Sequence, residues 1–337
     1  MERPTTELAR LDALLLDAGI LAGDIRARAV QARAAVRSID LRPTFLRDYG
    51  AARDSLMAVT GSLEPLASEA DARSRRRLAE RESVGDELRE LSLLLDGVTL
   101  GADLRRALFE TRARHTEAER LLDAGRVSDA AALLDSVSVA LTAVRIEAHG
   151  LVARYADESS VRRWNGWVAE AVAESRTSGN VTMVVDKDLR RLSLFRSGIL
   201  LSEHRVDLGS NASGVKLHQG DRATPEGRYR VLERKDLGAS RYGRALLLDY
   251  PNPEDRDRLR RAIDAGTVRR GTSPGGLIEI HGAGGRNEDW TDGCVALPDT
   301  EMAEVFDRAP LGTLVVIVGG DGSGPWATAA RRLARGR

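Results

Sequence analysis

A change of sequence texture near residue 178 constrains the fold of this chain more than any other feature. Only ten of the 32 glycines and three of the ten prolines precede residue 178, where Ala, Leu, Arg and Glu dominate. Because glycine and proline interrupt helices, their scarcity predicts a helical first half. After residue 178 the chain breaks into short alternating or β-branched segments bounded by turn residues, a pattern typical of strands.

A chain of 337 residues is long enough for two domains with separate cores. We therefore predict an α+β protein with two domains. Residues 1–177 are predicted to form an all-α helical bundle, and residues 178–320 a β-rich, sandwich-like domain. The Gly-rich and then basic stretch 321–337 is predicted to be a peripheral C-terminal tail.

Helix boundaries in the first half follow from glycine and proline positions. The predicted helices cover residues 6–39 with a break near Gly19 and Gly23, 44–60 with a stop at Gly61 and Pro65, from there to 96, and 102–124. After Val127, apolar residues recur at three- and four-residue steps and form a seam for a partner helix: Leu134, Val137, Leu141, Val144, Ala148 and Leu151. We also expect this helical half to be able to recruit a protein partner.

Eight strands are predicted in the second half. They cover residues 181–186, 192–195, 199–206, 228–232, 245–248, 277–281, 294–297 and 314–318. Two helices are predicted among them, at 256–265 and at 300–308, with Asp299 as the N-cap of the second.

Composition excludes several classes of function. The 51 basic residues equal the 51 acidic residues, so no basic surface favours a nucleic-acid partner. No apolar stretch approaches the ~20 residues of a membrane span. The chain has no Walker loop, no Ser-x-x-Lys motif and no His/Cys metal spacing, so we predict neither a metal nor another cofactor.

The stretch 275–298 carries the candidate chemistry. His281 ends a predicted strand, and Cys294, the only cysteine, follows thirteen positions later after a glycine-rich loop. An unpaired cysteine is most often a small buried apolar residue. However, a thiol and an imidazole at the two ends of a looped hairpin can meet, and together they form a cysteine nucleophile with its base.

Three ordered blocks in the second half resemble a known family. The first comprises Gly209-Ser210, residues 216–221 and residues 224–229, the second is residues 248–252, and the third runs from Ile280-His281-Gly282 to Thr291-Asp292-Gly293-Cys294-Val295-Ala296. Together they resemble the catalytic signature of L,D-transpeptidases, the YkuD-like cell-wall enzymes. The match is closest to the subgroup with the motif Asp-Trp-Thr-x-Gly-Cys-Val-Ala, found here from Asp289 to Ala296. The resemblance covers residues 180–320, and the helical half shows no family signature.

The resemblance implies the roles of three residues. Cys294 is expected to be the nucleophile, His281 the base, and Gly293 part of the oxyanion hole, with the backbone N–H groups of Gly293 and Cys294 as donors. Many family members have His where this chain has Asp292, and Arg where it has Ala296. Substrate contacts of that Arg are therefore not carried over.

Other residues near the pair are predicted to bind substrate. They are Gly282, Trp290, Thr291, Asp292, Arg241 and Tyr242. Glu279 and Asp292 are each placed to orient the imidazole, but we expect both to face substrate or solvent, since the family often uses a backbone carbonyl for that task.

The function that the resemblance implies is acyl transfer on peptidoglycan stem peptides, giving 3→3 crosslinks or exchanging D-amino acids. Two alternatives stay open: a Cys–His hydrolase of the same fold that trims stems or releases wall-attached protein, and a non-catalytic wall scaffold. Because peptidoglycan lies outside the cytoplasm, we expect an extracytoplasmic location. The N-terminus shows no signal peptide, so we expect that Met1 replaces a removed signal or anchor.

Overall fold

The computed structural model describes residues 2–17, 23–96, 98 and 100–335. Its first half is helical, as predicted. The helices are α1 (Thr5–Asp17), α2 (Gly23–Asp40), α3 (Gly50–Leu94), α4 (Ala102–Asp123), α5 (Val127–Val152) and α6 (Glu158–Ser178), with short 3-10 helices at Thr44–Leu46 and Ala153–Tyr155. The predicted break near Gly19 lies outside the described residues, and Gly23 begins α2.

The predicted stop at Gly61 and Pro65 is wrong. Helix α3 continues through both residues for 45 residues. Proline costs a helix one hydrogen bond and a steric clash, yet burial of apolar α3 residues before Pro65 and, further along, of Val84 offsets that cost. Leu56 and Leu63 are each 0% exposed.

The described chain divides into two compact units, residues 1–87 with 113–138, and residues 88–112 with 139–337. The first unit has its own apolar core, which includes Leu11, Val36, Tyr49, Leu56 and Leu63. The predicted domain boundary at residue 178 lies inside the second unit. No helix among the described residues has both the length and the apolar character that crossing a membrane requires.

The second unit contains one mixed sheet, and each of its eight strands overlaps a predicted one. The strands are β1 (Val181–Asp186), β2 (Arg191–Arg196), β3 (Ile199–Arg205), β4 (Gly227–Lys235), β5 (Ala245–Leu248), β6 (Glu279–His281), β7 (Val295–Ala296) and β8 (Leu314–Val318). Their order is β3-β2-β1-β8-β4-β5-β6-β7. The pairs β1–β8 and β6–β7 are parallel, and all other pairs in this order are antiparallel.

Strand β4 curls the sheet. Its first residues, Gly227 to Arg230, pair with β8, whereas Val231 to Lys235 pair with β5 after an irregularity in the register. A strand that changes partners in this way bends the sheet into two facing parts. This curled sheet preceded by helices confirms the predicted α+β fold class.

Three further helices lie beside the sheet: α7 (Pro253–Asp264), α8 (Asp299–Arg308) and α9 (Pro325–Arg335). Helix α9 shows that the expectation of a peripheral tail is wrong, since Trp326 and Ala327 are each 0% exposed. The Trp326 ring contacts Tyr155, with centroids 4.8 Å apart, and Tyr155 in turn contacts Trp164 at 5.7 Å. An aromatic cluster therefore joins α9 to the helical segment that precedes the sheet.

Candidate active site

Strands β6 and β7 bring the candidate catalytic pair together. They pair with Ile280 opposite Val295 and His281 opposite Ala296. Just before this ladder, the backbone N–H of Glu279 points to Sγ of Cys294 at 3.4 Å. The expectation of a hairpin is wrong, because the strands are parallel. The connection of more than a dozen residues returns the chain to the start of β6, which a parallel pair requires.

His281 is held in the tautomer that a base requires. Its Nδ1 lies 2.6 Å from the carbonyl oxygen of Gly282, and because a carbonyl only accepts, Nδ1 carries the proton. Nε2 is therefore the lone-pair nitrogen. The ring is 1% exposed and stacks on Tyr242 with centroids 4.3 Å apart. Burial lowers the pKa of His281, so the imidazole is neutral at neutral pH.

Glu279 is not solvated, although its contact with a substrate stays a prediction. It is 9% exposed, and its carboxylate accepts a hydrogen bond from Nζ of Lys235 at 2.7 Å. Asp292 does reach solvent, with Arg222 3.7 Å away. The imidazole is thus oriented by the backbone carbonyl of Gly282 rather than by either carboxylate.

The Cys294 thiol lies half-buried between backbone groups. Besides the N–H of Glu279, its Sγ meets the carbonyl oxygen of Leu277 at 3.6 Å, to which the thiol proton is donated. Burial raises the pKa of Cys294 to about 11. The resting cysteine is therefore a thiol, and it needs a base in order to attack.

The turn before Cys294 requires glycine. Gly293 has a φ of +128°, and a Cβ there would lie 2.7 Å from the carbonyl oxygen of Ala223. Its N–H donates to Oγ1 of Thr291 at 3.2 Å, and that hydroxyl donates to the carbonyl oxygen of Cys294 at 2.8 Å. Of the two donors predicted for an oxyanion hole, the N–H of Gly293 is thus occupied. Within the described residues no acceptor faces the N–H of Cys294.

Three aspartates support the loop between the pair, a role that the sequence did not predict for any of them. Asp207 accepts from the N–H of Arg286 at 2.9 Å and from the indole of Trp290 at 3.2 Å. Asp289 accepts from Arg190 at 2.7 Å and from the N–H of Leu208 at 3.1 Å. Asp207 and Asp289 lie 79 to 99 positions from these partners, and no spacing rule links residues so far apart.

Asp299 is the third of these aspartates. It is the first residue of α8, and its side chain does not cap that helix as predicted. It accepts instead from the N–H of Ala283 at 2.7 Å. A Cβ on Gly282 would lie 2.4 Å from the same carboxylate, so this glycine is needed for packing.

The residues predicted to bind substrate fall into two groups. Tyr242 and Trp290 line His281, with the Trp290 centroid 5.9 Å away, and the Arg241 guanidinium lies 4.5 Å from the Tyr242 ring. Thr291 is buried and bonds within its own turn. The first group forms a wall beside His281, and its contact with a substrate stays a prediction.

Residues 180–317 match the model of the YkuD family, described as the L,D-transpeptidase catalytic domain. This segment belongs to the YkuD family. It includes both Cys294 and His281, and it excludes α1 to α6 and α9. In sequence comparison, no curated protein matches the chain.

Solved L,D-transpeptidases are similar to this YkuD segment at low identity. The enzyme from Mycobacterium smegmatis is 14% identical with a TM-score of 0.27, and the match covers 41% of this chain and 58% of that one. Residues 123–326 of the Xylanimonas cellulosilytica enzyme are 16% identical with a TM-score of 0.28, and the match covers 41% of this chain and 60% of that one. The Stackebrandtia nassauensis enzyme is 15% identical with a TM-score of 0.29, and the match covers 45% of this chain and 65% of that one. The chain thus spans less than two thirds of each, and the family assignment rests on the family model.

Proposed function

We propose that this protein is a peptidoglycan L,D-transpeptidase that works through a thioester on Cys294. Sγ attacks the carbonyl of the L-centre of diaminopimelate in a tetrapeptide stem, and the C–N bond to D-alanine breaks. An amine of a second stem then attacks the thioester, restores the thiol and forms a 3→3 crosslink. The observation that carries this proposal is a base-competent imidazole at the end of β6 and a thiol directly before the adjacent strand β7, within a YkuD segment.

Both members of the pair start neutral, so the proton moves during attack. Nε2 of His281 accepts the thiol proton while the C–S bond forms, and then donates it to the departing amine of D-alanine. The N–H of Cys294 is the backbone donor left for the developing oxyanion, and one such donor is typically worth about 3 kcal/mol. Tyr242 and Trp290 hold the imidazole plane through this exchange.

Mass spectrometry of the intact protein tests the thioester. A carbapenem is expected to add one drug mass to the wild-type protein and none to Cys294→Ala. His281→Gln is expected to slow the addition by about 10²- to 10⁴-fold without loss of fold. An adduct on Cys294→Ala would overturn the assignment of the nucleophile, and no adduct on the wild type would favour the non-catalytic scaffold.

Muropeptide analysis distinguishes transfer from hydrolysis. Both reactions share the thioester, and they differ in whether an amine or water resolves it. Tetrapeptide muropeptides supplied with D-methionine are expected to yield dimers or exchanged stems. Tripeptides alone, or release of wall-attached protein, would show the hydrolytic alternative instead.

Peptidoglycan as substrate implies an extracytoplasmic location, in the periplasm or the cell wall. Fractionation of cells that produce the full-length protein tests this location. Recovery of the protein only with cytoplasmic markers would contradict it.

A further inference from the structure

A buried ion cluster lies behind the candidate active site. Lys187, at the end of β1, is 0% exposed, and its ammonium group donates to Glu226 at 2.9 Å. Its other two hydrogen bonds go to the carbonyl oxygens of Thr224 at 2.8 Å and Gly214 at 3.0 Å. A buried cation is tolerated only with such partners. Lys187 therefore fixes the segment that leads into β4.

Arg154 completes this cluster from the 3-10 helix Ala153–Tyr155. Its guanidinium forms two parallel bonds to the Glu226 carboxylate, at 2.6 and 2.7 Å, and a third to the carbonyl oxygen of Ser213 at 2.9 Å. Burial alone would raise the pKa of Glu226, but the charges of Lys187 and Arg154 lower it, so the carboxylate stays ionised. The cluster is thus two cations on one carboxylate.

Thr224 connects the cluster to the nucleophile. Its carbonyl accepts from Lys187, and its hydroxyl accepts from the N–H of Gly209 at 2.9 Å. Gly209 lies against Gly293, since a Cβ on Gly209 would come within 3.0 Å of the Gly293 Cα. Gly293 also rests on the carbonyl of Ala223. The turn that presents Cys294 is therefore backed by the segment that the cluster holds.

Arg154 lies outside the YkuD segment at 180–317, whereas Lys187, Glu226, Gly209 and Gly293 all lie within it. We propose that Arg154 is a positioning residue for acylation of Cys294, by which the helical region fixes the Glu226–Thr224 segment behind the Gly293–Cys294 turn. This inference rests on the proposed function.

Two reactions of the same thiol separate positioning from general reactivity. Acylation by a carbapenem needs the Cys294 N–H aligned with the developing oxyanion, and a displacement of about 1 Å can cost about 10²-fold. Alkylation by iodoacetamide forms no oxyanion, so it reports only thiol access and ionisation. Arg154→Met keeps the aliphatic stem and removes the two parallel bonds. We expect it to slow acylation by about 10- to 100-fold and to change alkylation by less than about twofold.

Arg162→Met is the matched control. Arg162 lies on α6 and forms an exposed ion pair with Glu158 at 2.9 Å, so its loss is expected to change neither rate. Arg154→Lys keeps the positive charge but not the two parallel hydrogen bonds of the guanidinium. Its acylation rate is expected to lie between those of Arg154→Met and the wild type. Circular dichroism and thermal melting establish that each variant is folded.

The outcomes separate this inference from the proposed function. A folded Arg154→Met that acylates at the wild-type rate would overturn the positioning role. An equal loss of acylation and alkylation would also overturn it, because it would show general damage. If Arg154→Met does not fold, Arg154→Lys decides by the same two rates. A wild-type protein that is alkylated but never acylated would overturn the proposed function itself.

Discussion

The side chains of the candidate catalytic pair, Cys294 and His281, share one property, which is that burial favours the neutral form of each. The pKa of His281 is lowered, and that of Cys294 is raised to about 11. The pair therefore differs from cysteine sites in which a preformed thiolate faces an imidazolium. Two side chains that start neutral require that the proton transfer and the attack of sulfur coincide.

The pH dependence of the two thiol reactions tests this state. Acylation is lost when His281 is protonated, so its rate is expected to rise with pH through a pKa below about 6.5 and to be level at neutral pH. Iodoacetamide alkylation needs the thiolate, so its rate is expected to rise about tenfold per pH unit towards about 11. Alkylation rates measured at a series of pH values test this expectation. An alkylation rate that reaches a plateau by pH 7 would show a thiolate–imidazolium pair instead.

Gly293→Ala tests the turn before the nucleophile. The left-handed φ of +128° and the Ala223 carbonyl 2.7 Å from a Cβ leave no room for a side chain. Acylation is expected to fall by at least about 10²-fold, because Cys294 shifts relative to its base. Gly166→Ala in α6 is the control, since nothing lies within 4 Å of its Cβ, and it is expected to stabilise the helix by up to about 1 kcal/mol. Near-normal acylation of Gly293→Ala would refute the need for glycine.

The sequence points to the candidate catalytic residues but not to the residues that support them. Cys294, His281 and Gly293 were predictable because they stand in one short motif. Arg154, Asp207 and Glu226 were not, because their partners lie far along the chain and nothing in local spacing encodes them. Strand alternation places Glu279 on the same face as His281. It does not predict that the Lys235 ammonium group covers the Glu279 carboxylate.

Helix α3 and strand β7 show that contacts between distant residues also limit the prediction of secondary-structure elements. The strands were predictable from local alternation, whereas their order in the sheet and the parallel β6–β7 pair depend on contacts between distant residues. A helix stop was wrongly predicted at Gly61 and Pro65, because helix propensity is a local property. The continuity of α3 depends instead on tertiary packing of its apolar face. Helix α9 was not predicted, because the Gly-rich stretch directly before it favoured an irregular tail over a helix with an apolar face.

Pro65→Ala tests the continuity of α3. Pro65 lies inside the helix and is exposed, so alanine restores a backbone hydrogen bond without changing the core. The substitution is expected to stabilise the protein by up to about 3 kcal/mol, with carbapenem acylation unchanged. Chemical denaturation measures this gain. Destabilisation would indicate instead that the helix ends at the proline.

Beyond single elements, the YkuD segment packs against residues outside it, and we expect its stability to depend on them. Trp164 is 1% exposed and packs on Gly319, where a Cβ would come within 2.4 Å of its ring, and Tyr155 lies between Trp164 and Trp326. A segment cut at residue 178 would keep Trp326 but lose both aromatic partners as well as Arg154.

Two fragments test this dependence. Fragment 150–337 keeps Arg154 and the aromatic cluster, whereas fragment 178–337 loses them and leaves Lys187 and Glu226 partly uncovered. Removal of a buried aromatic side chain costs about 3–5 kcal/mol, so the shorter fragment is expected to melt at least about 10 °C lower and to acylate more slowly. Equal melting temperatures and rates in thermal scans and carbapenem assays would show that the YkuD segment is self-sufficient.

The single cysteine of the whole chain carries a further consequence of its burial. Peroxides oxidise thiolates far faster than thiols. With a pKa of about 11, only about 10⁻⁴ of Cys294 is ionised at pH 7, compared with a few per cent of an ordinary exposed cysteine. The burial that, in the proposed mechanism, makes acylation depend on His281 therefore also slows formation of sulfenic acid. The Cys294 thiol can thus persist under oxidising conditions, where the chain has no second cysteine to reduce it.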